Sequence, residues 1–177
     1  MKRDIQKILI DEDVIHKRVA HLARQFQRDC IDNGIETVTV VILLKGALLF
    51  AADFVRHLDM KIQVELVNAS SYNGGTKSSG VVALDRTPDV LNKDVLLIDD
   101  ILDTGLTMTT VRKQLLEAGA ASVTTCVLLD KRVSDYSCDF TGFDIPNEFV
   151  VGYGLDYQGH YRNLPYVGVL NPSCISI

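Results

Sequence analysis

The run DVLLIDD, residues 94–100, constrains the fold of this chain more than any other segment. Its uninterrupted, branched apolar side chains are typical of a strand that is covered on both faces. Two carboxylates end the run, and a Thr104-Gly105 turn leads into helical spacing from Met108 to Ala118. A buried strand followed by a turn and a helix is the repeating unit of an α/β sheet, which this segment therefore predicts.

Strands and helices alternate along the rest of the chain. Apolar residues at helical spacing predict amphipathic helices over residues 15–30 and 46–58. Apolar and β-branched runs predict further strands at residues 37–44, 62–67, 81–84, 123–130, 149–154 and 166–170. We therefore predict a single α/β domain over residues 1–177, with a mainly parallel central sheet flanked by helices.

The composition limits the kinds of partner. Eighteen Lys and Arg residues against 23 Asp and Glu give a formal charge of -5, so the chain has no overall attraction to nucleic acid or to an anionic membrane. Cys30, Cys126, Cys138 and Cys174 form neither a CxxC pair nor a zinc-type spacing. Because no secretory leader or membrane span is evident either, we expect a soluble, cytoplasmic protein.

The segment NASSYNGGTKSSG, residues 68–80, differs from its surroundings. It is small, polar and rich in glycine, and strand-like runs flank it on both sides. Such a segment is too polar for a core. The sequence therefore predicts a mobile surface loop here.

The turn after the strongest strand carries the clearest chemical signal. The backbone N–H groups of residues 103–107 can converge on one point at the start of a helix, which suits a phosphate monoester. Asp99 and Asp100 can accept from sugar hydroxyls or hold a hydrated magnesium ion, and Asp103 is the candidate base. A helix cap with solvated acids is the simpler alternative. Receiver domains also end a strand in two acids, but near the start of the domain, whereas these acids lie past mid-chain.

The segment from Val95 to Val111 closely resembles the phosphoribosyl pyrophosphate signature of the type I phosphoribosyltransferases, in which two acids precede an acid-Thr-Gly-x-Thr turn. Further matches follow in the order of the family, and together they resemble its hypoxanthine-guanine subgroup. These matches are Leu44-Lys45-Gly46, Ser71-Tyr72, Leu129-Asp130-Lys131-Arg132, Phe149 to Tyr153, Leu155-Asp156-Tyr157 and Arg162.

The resemblance implies a fold and a reaction. The fold would be the mainly parallel sheet, with a small hood region from the chain termini and a mobile loop. The reaction would transfer the 5-phosphoribosyl group of phosphoribosyl pyrophosphate to N9 of hypoxanthine or guanine. Its products would be IMP or GMP and pyrophosphate, its cofactor Mg²⁺, and its assembly a homodimer or homotetramer.

The resemblance also implies the site residues. Phosphoribosyl pyrophosphate would be bound by Lys45, Gly46, Ser71, Tyr72, Asp99, Asp100, Asp103, Thr104, Gly105, Leu106, Thr107 and Arg162, the purine by Lys131, Phe149 and Val150, and the metal by Asp99, Asp100 and Asp156.

Particular roles follow for some of these residues. Asp103 would take the proton from purine N7, and Lys131 would donate to purine O6 and so select a 6-oxo base. Phe149 would stack on the purine, although an aromatic residue at the start of a strand is more often part of a core. Arg162 and the Lys45 amide would meet pyrophosphate, and the Leu44–Lys45 bond is often cis in the family.

Two other functions remain open at this point. A regulator on the same fold could bind the nucleotide or phosphoribosyl pyrophosphate and act on RNA or DNA, but the acidic net charge disfavours it. A phosphoribosyltransferase could instead prefer xanthine, adenine or uracil. The combination of Lys131, Phe149 and Asp156 resembles the 6-oxopurine subgroup and disfavours the last two bases.

Overall fold

The computed structural model describes residues 2–71 and 82–174. Within these ranges the elements are β1 (Ile5–Ile10), α1 (Glu12–Asp32), β2 (Thr37–Leu44), α2 (Leu48–Val55), β3 (Lys61–Ser71), β4 (Val82–Leu84), β5 (Asp94–Leu102), α3 (Leu106–Glu117), β6 (Ser122–Asp130), β7 (Phe140–Asp144), β8 (Val150–Val151) and β9 (Val167–Leu170). Short 3-10 helices occupy Lys2–Asp4 and Pro172–Cys174. None of the described helices combines the length and apolar character needed to cross a membrane.

The main sheet has six strands in the order β4-β3-β2-β5-β6-β7. The strand pairs β3–β2, β2–β5, β5–β6 and β6–β7 are parallel, and only the edge strand β4 runs antiparallel to its neighbour. The predicted mainly parallel α/β sheet is therefore confirmed.

Helices cover both faces of this sheet, and β5 shows how the faces are divided. Leu96 and Ile98 belong to the apolar cluster beneath α1 and α2, whereas Val95 and Leu97 belong to the cluster beneath α3. All four side chains are at most 2% exposed. Successive residues of a strand point to opposite faces, so the uninterrupted apolar run is what a strand covered on both sides requires.

A smaller three-stranded sheet, in the order β1-β9-β8, forms the predicted hood from the two ends of the chain. The sequence patterns did not predict β1 or β7. In β1 the apolar residues are not the buried ones, since Ile8 is 45% exposed at the edge of the small sheet. The apolar pattern therefore does not indicate a half-buried strand. In β7 the apolar pattern is interrupted by Gly142. A side chain does not fit at this position, because a β-carbon would overlap the Leu128 carbonyl.

The loop predicted at residues 68–80 begins later than expected. Residues 68–71 continue β3, and Ala69, Ser70 and Ser71 pair with β4. The sequence pattern was misleading because strand propensity depends on context, and small polar residues are acceptable in a strand that pairs with the edge strand of a sheet. Residues 72–81, including Tyr72, lie outside the described residues, and so does the side chain of Ser71.

The connections of β2 and β5 create a crevice at one edge of the main sheet. These strands are neighbours, but α2 leads from β2 to β3 on one side, whereas α3 leads from β5 to β6 on the other. Ligands of open α/β sheets bind where the strand order reverses in this way, at the carboxyl ends of the strands. Lys45-Gly46 follows β2 at this point, and the acids from Asp99 to Asp103 end β5.

Candidate active site

The loop between β5 and α3 forms one side of the crevice. Gly105 is the N-cap of α3 and has a φ of +77°, a conformation that favours glycine. The Thr109 N–H donates to the Gly105 carbonyl at 2.9 Å, which is the first hydrogen bond of the helix. The amides that precede Thr109 have no carbonyl partner within α3, so they can bind an anion at the helix N-terminus.

Residues 134–136 support this loop from outside. The Ser134 hydroxyl donates to the Thr104 carbonyl at 3.1 Å, and the Tyr136 N–H donates to Ser134 Oγ at 3.0 Å. A β-carbon at Gly105 would lie 2.6 Å from Ser134 Oγ, so the two segments are in contact. Neither Ser134 nor Tyr136 was predicted as a site residue. No motif or spacing in the sequence indicates a contact between segments that are 30 residues apart.

Asp99 and Asp100 are partly buried at the end of β5 and close to one another. Burial raises the pKa of Asp99 well above its usual value, and the charge of Asp100 raises it further. Burial also raises the pKa of Asp100, although hydrogen bonds from Asp99 and from backbone amides oppose the rise. Two carboxylates held in this way favour a ligand that brings positive charge, hydroxyl donors or a metal ion.

Two cavities open over these residues. One, of about 300 Å³, lies over the loop between β5 and α3, residues 103–107, called the phosphate loop below because its amides can bind an anion. Asp99, Thr104, Gly105 and Thr107 are among the residues that line this cavity. The second, of about 240 Å³, lies under the hood. Asp100, Ile101 and Asp103 line both cavities, so one ligand can extend from the first into the second.

Asp103 and Lys131 form an ion pair at the boundary between the cavities. Lys131 Nζ lies 2.8 Å from Asp103 Oδ2, and the lysine side chain is only 13% exposed. The Lys131 side chain therefore lies against Asp103 and lines the second cavity rather than extending into solvent. The turn behind it is fixed by the buried carboxylate of Asp130, which accepts from the Arg132 N–H at 2.7 Å.

Phe149 lines the second cavity rather than the core. Its side chain is 44% exposed, and its ring meets the edge of Tyr157 at a centroid distance of 5.6 Å. Val150, the first residue of β8, lies beside it, and Leu155 adds an apolar contact that the sequence analysis did not assign. An exposed aromatic ring at a cavity is available to stack on a planar ligand.

Asp156 and Arg162 lie together at the outer edge of this cavity. Arg162 Nη2 is 2.7 Å from Asp156 Oδ1, and its Nη1 donates to the Gly154 carbonyl at 2.6 Å. The Arg162 charge also counteracts the rise in the pKa of Asp100, so the guanidinium lies within electrostatic reach of the acidic pair. The hood thereby contributes a fixed cation to the crevice.

Lys45 and Gly46 bring the end of β2 against the end of β5. The Leu44–Lys45 peptide bond is cis, and Lys45 is exposed. A β-carbon at Gly46 would overlap the carboxylate of Asp100, so only glycine permits this approach. The structure thus brings together the predicted site residues from four segments. Ser71 ends β3 at the same edge of the sheet, while its side chain and Tyr72 lie outside the described residues.

The acidic side chains of the crevice can hold a magnesium ion only with ligands from outside the protein. In the described ranges no three His, Cys, Asp or Glu side chains are grouped closely enough to hold a metal. Asp156 is already engaged by Arg162 and by the Gly159 N–H at 2.7 Å. Asp99 and Asp100 fit an ion that takes one or two protein carboxylates and draws its other ligands from substrate and water, as Mg²⁺ commonly does.

Comparisons with known proteins agree with this geometry. The model of the phosphoribosyl transferase domain family matches residues 7–158. The hypoxanthine-guanine phosphoribosyltransferase of Streptococcus pneumoniae (strain ATCC BAA-255 / R6) is 43% identical over 99% of each chain, and that of Bacillus subtilis (strain 168) is 42% identical over 98% of this chain and 97% of its own. A solved hypoxanthine phosphoribosyltransferase from Staphylococcus aureus superposes with a TM-score of 0.90 at 36% identity, over 100% of this chain and 97% of that one. The crevice, its phosphate loop and these similarities together lead to one conclusion: the chain belongs to the phosphoribosyltransferase family.

Proposed function

We propose that this protein is a purine-salvage enzyme that transfers the 5-phosphoribosyl group of phosphoribosyl pyrophosphate to N9 of hypoxanthine or guanine. The products are IMP or GMP and pyrophosphate. Relatives named for this activity match nearly the whole chain, and the two joined cavities offer one place for the sugar phosphate and another for a planar base.

The observation that carries this proposal is the Asp103–Lys131 pair between the cavities. A 6-oxopurine presents the N7 proton and the O6 acceptor side by side on one edge. Asp103 can accept the first and Lys131 can donate to the second, and the 2.8 Å contact between them places both groups at that spacing. An adenine would place an amino donor against the Lys131 ammonium, which disfavours its binding.

The remaining residues divide the substrate between them. The amides of residues 104–107, which have no carbonyl partner within α3, hold the 5-phosphate at the start of the helix, and the Asp99 and Asp100 carboxylates face the ribose. The Leu106 N–H has only a long hydrogen bond, of 3.4 Å, to Thr104 Oγ1 to give up. As the bond from C1 to pyrophosphate breaks, positive charge develops on the sugar, and these carboxylates stabilise it. Asp103 takes the N7 proton as N9 attacks C1, so the base gains a glycosidic bond without gaining a charge.

The pyrophosphate lies between Lys45-Gly46 and the Asp156–Arg162 pair in this proposal. The planar Arg162 guanidinium suits phosphate oxygens, and the amides after β2 supply neutral donors. Asp99 and Asp100 would hold a Mg²⁺ ion here, and the ion would supply positive charge that stabilises the leaving pyrophosphate. In the same proposal Ser71, at the end of β3, and Tyr72 contact the pyrophosphate.

A parallel assay tests the reaction. The purified full chain is given phosphoribosyl pyrophosphate and Mg²⁺ with hypoxanthine, guanine, xanthine, adenine or uracil, and nucleotide formation is followed by absorbance. We expect turnover with hypoxanthine and guanine only. Turnover confined to xanthine, adenine or uracil would replace the base assignment. Tight binding of phosphoribosyl pyrophosphate without turnover of any base would indicate a regulator on this fold.

We also infer that the chain forms a homodimer or homotetramer in the cytoplasm. Its four cysteines are free thiols, as expected in that compartment.

An exposed apolar face could form the interface between copies. Val64 and Leu66 of β3 lie on the same face of the sheet as α2, because their register partners Val40 and Ile42 belong to the cluster beneath that helix. Both are more than 40% exposed, and so is Leu48 of α2. A second copy that covered this apolar face would remove it from water. Light scattering of the wild type and of a Leu66→Lys variant would test this, and a wild-type monomer would contradict it.

A further inference from the structure

One hydrogen bond links α2 to the hood from outside the two cavities. The Tyr153 hydroxyl donates to Asp53 Oδ2 at 2.6 Å. Tyr153 is only 4% exposed. Burial raises the pKa of its phenol, and the neighbouring Asp53 raises it further, so the proton stays on the tyrosine. Neither residue lines either cavity of the candidate site. A short bond from a buried phenol to a carboxylate is among the stronger hydrogen bonds of a protein.

The backbone around Tyr153 is hydrogen-bonded to the segment that precedes β9 of the hood. Tyr153 has a φ of +49°, which is uncommon for a residue with a side chain. Its N–H donates to the Leu164 carbonyl at 2.8 Å, and the Gly154 N–H donates to the Arg162 carbonyl at 2.9 Å. The phenol therefore points toward α2 from a turn whose backbone has little freedom of its own.

The same turn carries the pyrophosphate side of the proposed site. Gly154 accepts from Arg162 Nη1, and the Asp156 carboxylate pairs with Arg162 Nη2. The backbone of Gly154 also rests on the Gly46 carbonyl, since a β-carbon there would overlap it. A small movement of this turn would therefore shift Arg162 and Asp156 relative to the Lys45-Gly46 amides.

Asp53 ties this turn to the helix that begins just after Lys45-Gly46. It lies in α2, and its carboxylate also has Arg56 Nη1 at 3.9 Å and His16 Nε2 at 4.0 Å. The Asp53 side chain is 32% exposed to a cavity between α1 and α2, so water can solvate it when the phenol is removed. Loss of the bond should therefore loosen the turn without preventing folding.

We propose that Asp53 and Tyr153 are positioning residues that hold the hood turn, residues 152–156, against Lys45-Gly46 and so align the two halves of the pyrophosphate site. The inference rests on the proposed function and extends it to two residues that touch no substrate. It assigns the pair mainly to the phosphoribosyl pyrophosphate side, because Gly154 of the turn contacts Gly46 and Arg162. Leu155 and Asp156 of the same turn also line the second cavity, so the affinity for the purine should fall by less than the affinity for phosphoribosyl pyrophosphate.

The test uses Tyr153→Phe, Asp53→Ala and the double variant of the full chain. Calorimetry with magnesium phosphoribosyl pyrophosphate should give a Kd raised about ten-fold in each single variant, as expected for a lost hydrogen bond to a charged group. The double variant should be no worse than either single one, because both changes remove the same interaction. Asp53→Asn, which keeps an oxygen acceptor, should restore most of the affinity.

A matched control and a second readout separate positioning from general stability. Tyr161→Phe removes another tyrosine–aspartate bond of the hood, from the Tyr161 hydroxyl to Asp4 Oδ2 at 3.2 Å, and should leave this Kd unchanged. In steady state, Tyr153→Phe should raise KM for phosphoribosyl pyrophosphate by a larger factor than KM for the base.

Three results would overturn the proposal: an unchanged Kd in Tyr153→Phe and Asp53→Ala, an equal loss in Tyr161→Phe, or additive losses in the double variant. Because the Kd is measured without turnover, an inactive wild type that still binds the substrate would contradict the proposed reaction and leave the positioning test intact. A wild type that binds none would contradict both.

Discussion

The two cavities of the site are built in different ways. The first cavity, over the loop between β5 and α3, takes its acids, its turn and its helix start from residues 99–107, a single stretch of chain. The second cavity, under the hood, takes Asp103 from that stretch, Lys131 from just after β6, and Phe149 and Asp156 from the hood. In the proposed function, a local motif therefore determines how the sugar phosphate is bound, whereas the choice of base depends on how distant segments pack together.

Asp103→Asn changes the residue that the two regions share and should have the largest effect. Asparagine keeps the size and an oxygen that can meet Lys131, but it cannot take the N7 proton. We expect kcat to fall by about 10²–10⁴-fold, the usual contribution of a positioned base. Calorimetry should show that binding of phosphoribosyl pyrophosphate survives. Turnover close to that of the wild type would mean that Asp103 is not the base.

Lys131→Ala tests the assembled cavity alone. Removing the ammonium leaves purine O6 without its charged donor, so KM for hypoxanthine should rise about 10–100-fold. KM for phosphoribosyl pyrophosphate should change far less, because the phosphate loop is intact. Lys113→Ala, at an exposed position of α3, is the control and should change neither constant. Equal rises in both constants would show that the two regions are not separate.

Gly105→Ala tests the contiguous region. The variant has to place a side chain at a φ of +77° and 2.6 Å from Ser134 Oγ, which should distort the phosphate loop. We expect KM for phosphoribosyl pyrophosphate to rise about ten-fold and stability to fall by about 1–3 kcal/mol. Gly34→Ala provides the matched control, since Gly34 has a φ of +72° but no atom within 4 Å of the added carbon. Gly34→Ala should lower the stability without changing KM for phosphoribosyl pyrophosphate.

Asp99→Asn should have the smallest effect of the four variants, and it should stabilise the ligand-free protein rather than impair it. Burial raises the pKa of Asp99 in the folded protein, so ionisation of this carboxyl opposes folding as the pH rises above its unfolded value. The ligand-free variant should therefore melt at a higher temperature near neutral pH, by about 2–4 °C for each kcal/mol recovered. The gain should shrink in acid, close to the ordinary carboxyl pKa of about 3.9.

Asp59→Asn serves as the control for this measurement, because Asp59 is exposed. Scanning calorimetry of both variants over a pH series would check the prediction. A lower melting temperature for Asp99→Asn at neutral pH would mean that the carboxylate stabilises the ligand-free fold.

The same contrast explains how much of the molecule the sequence predicts. The α/β class and the alternation of most strands and helices along the chain follow from local patterns, because each depends on residues a few positions apart. The support of Thr104 by Ser134 and the bond from Tyr153 to Asp53 do not, because they join segments 30 and 100 residues apart. β1 escaped prediction for a related reason: its partner is β9, near the other end of the chain.

The contacts of Gly46 limit how this site can change during evolution. Asp100 lies against one side of that glycine and Gly154 against its carbonyl, so three segments meet there without space for another carbon atom. A substitution at any of the three would have to be accommodated by the other two at once. Phe149 is 44% exposed and lies outside these contacts. In the proposed function, new base preferences can therefore arise by substitution of this residue while the pyrophosphate side stays fixed.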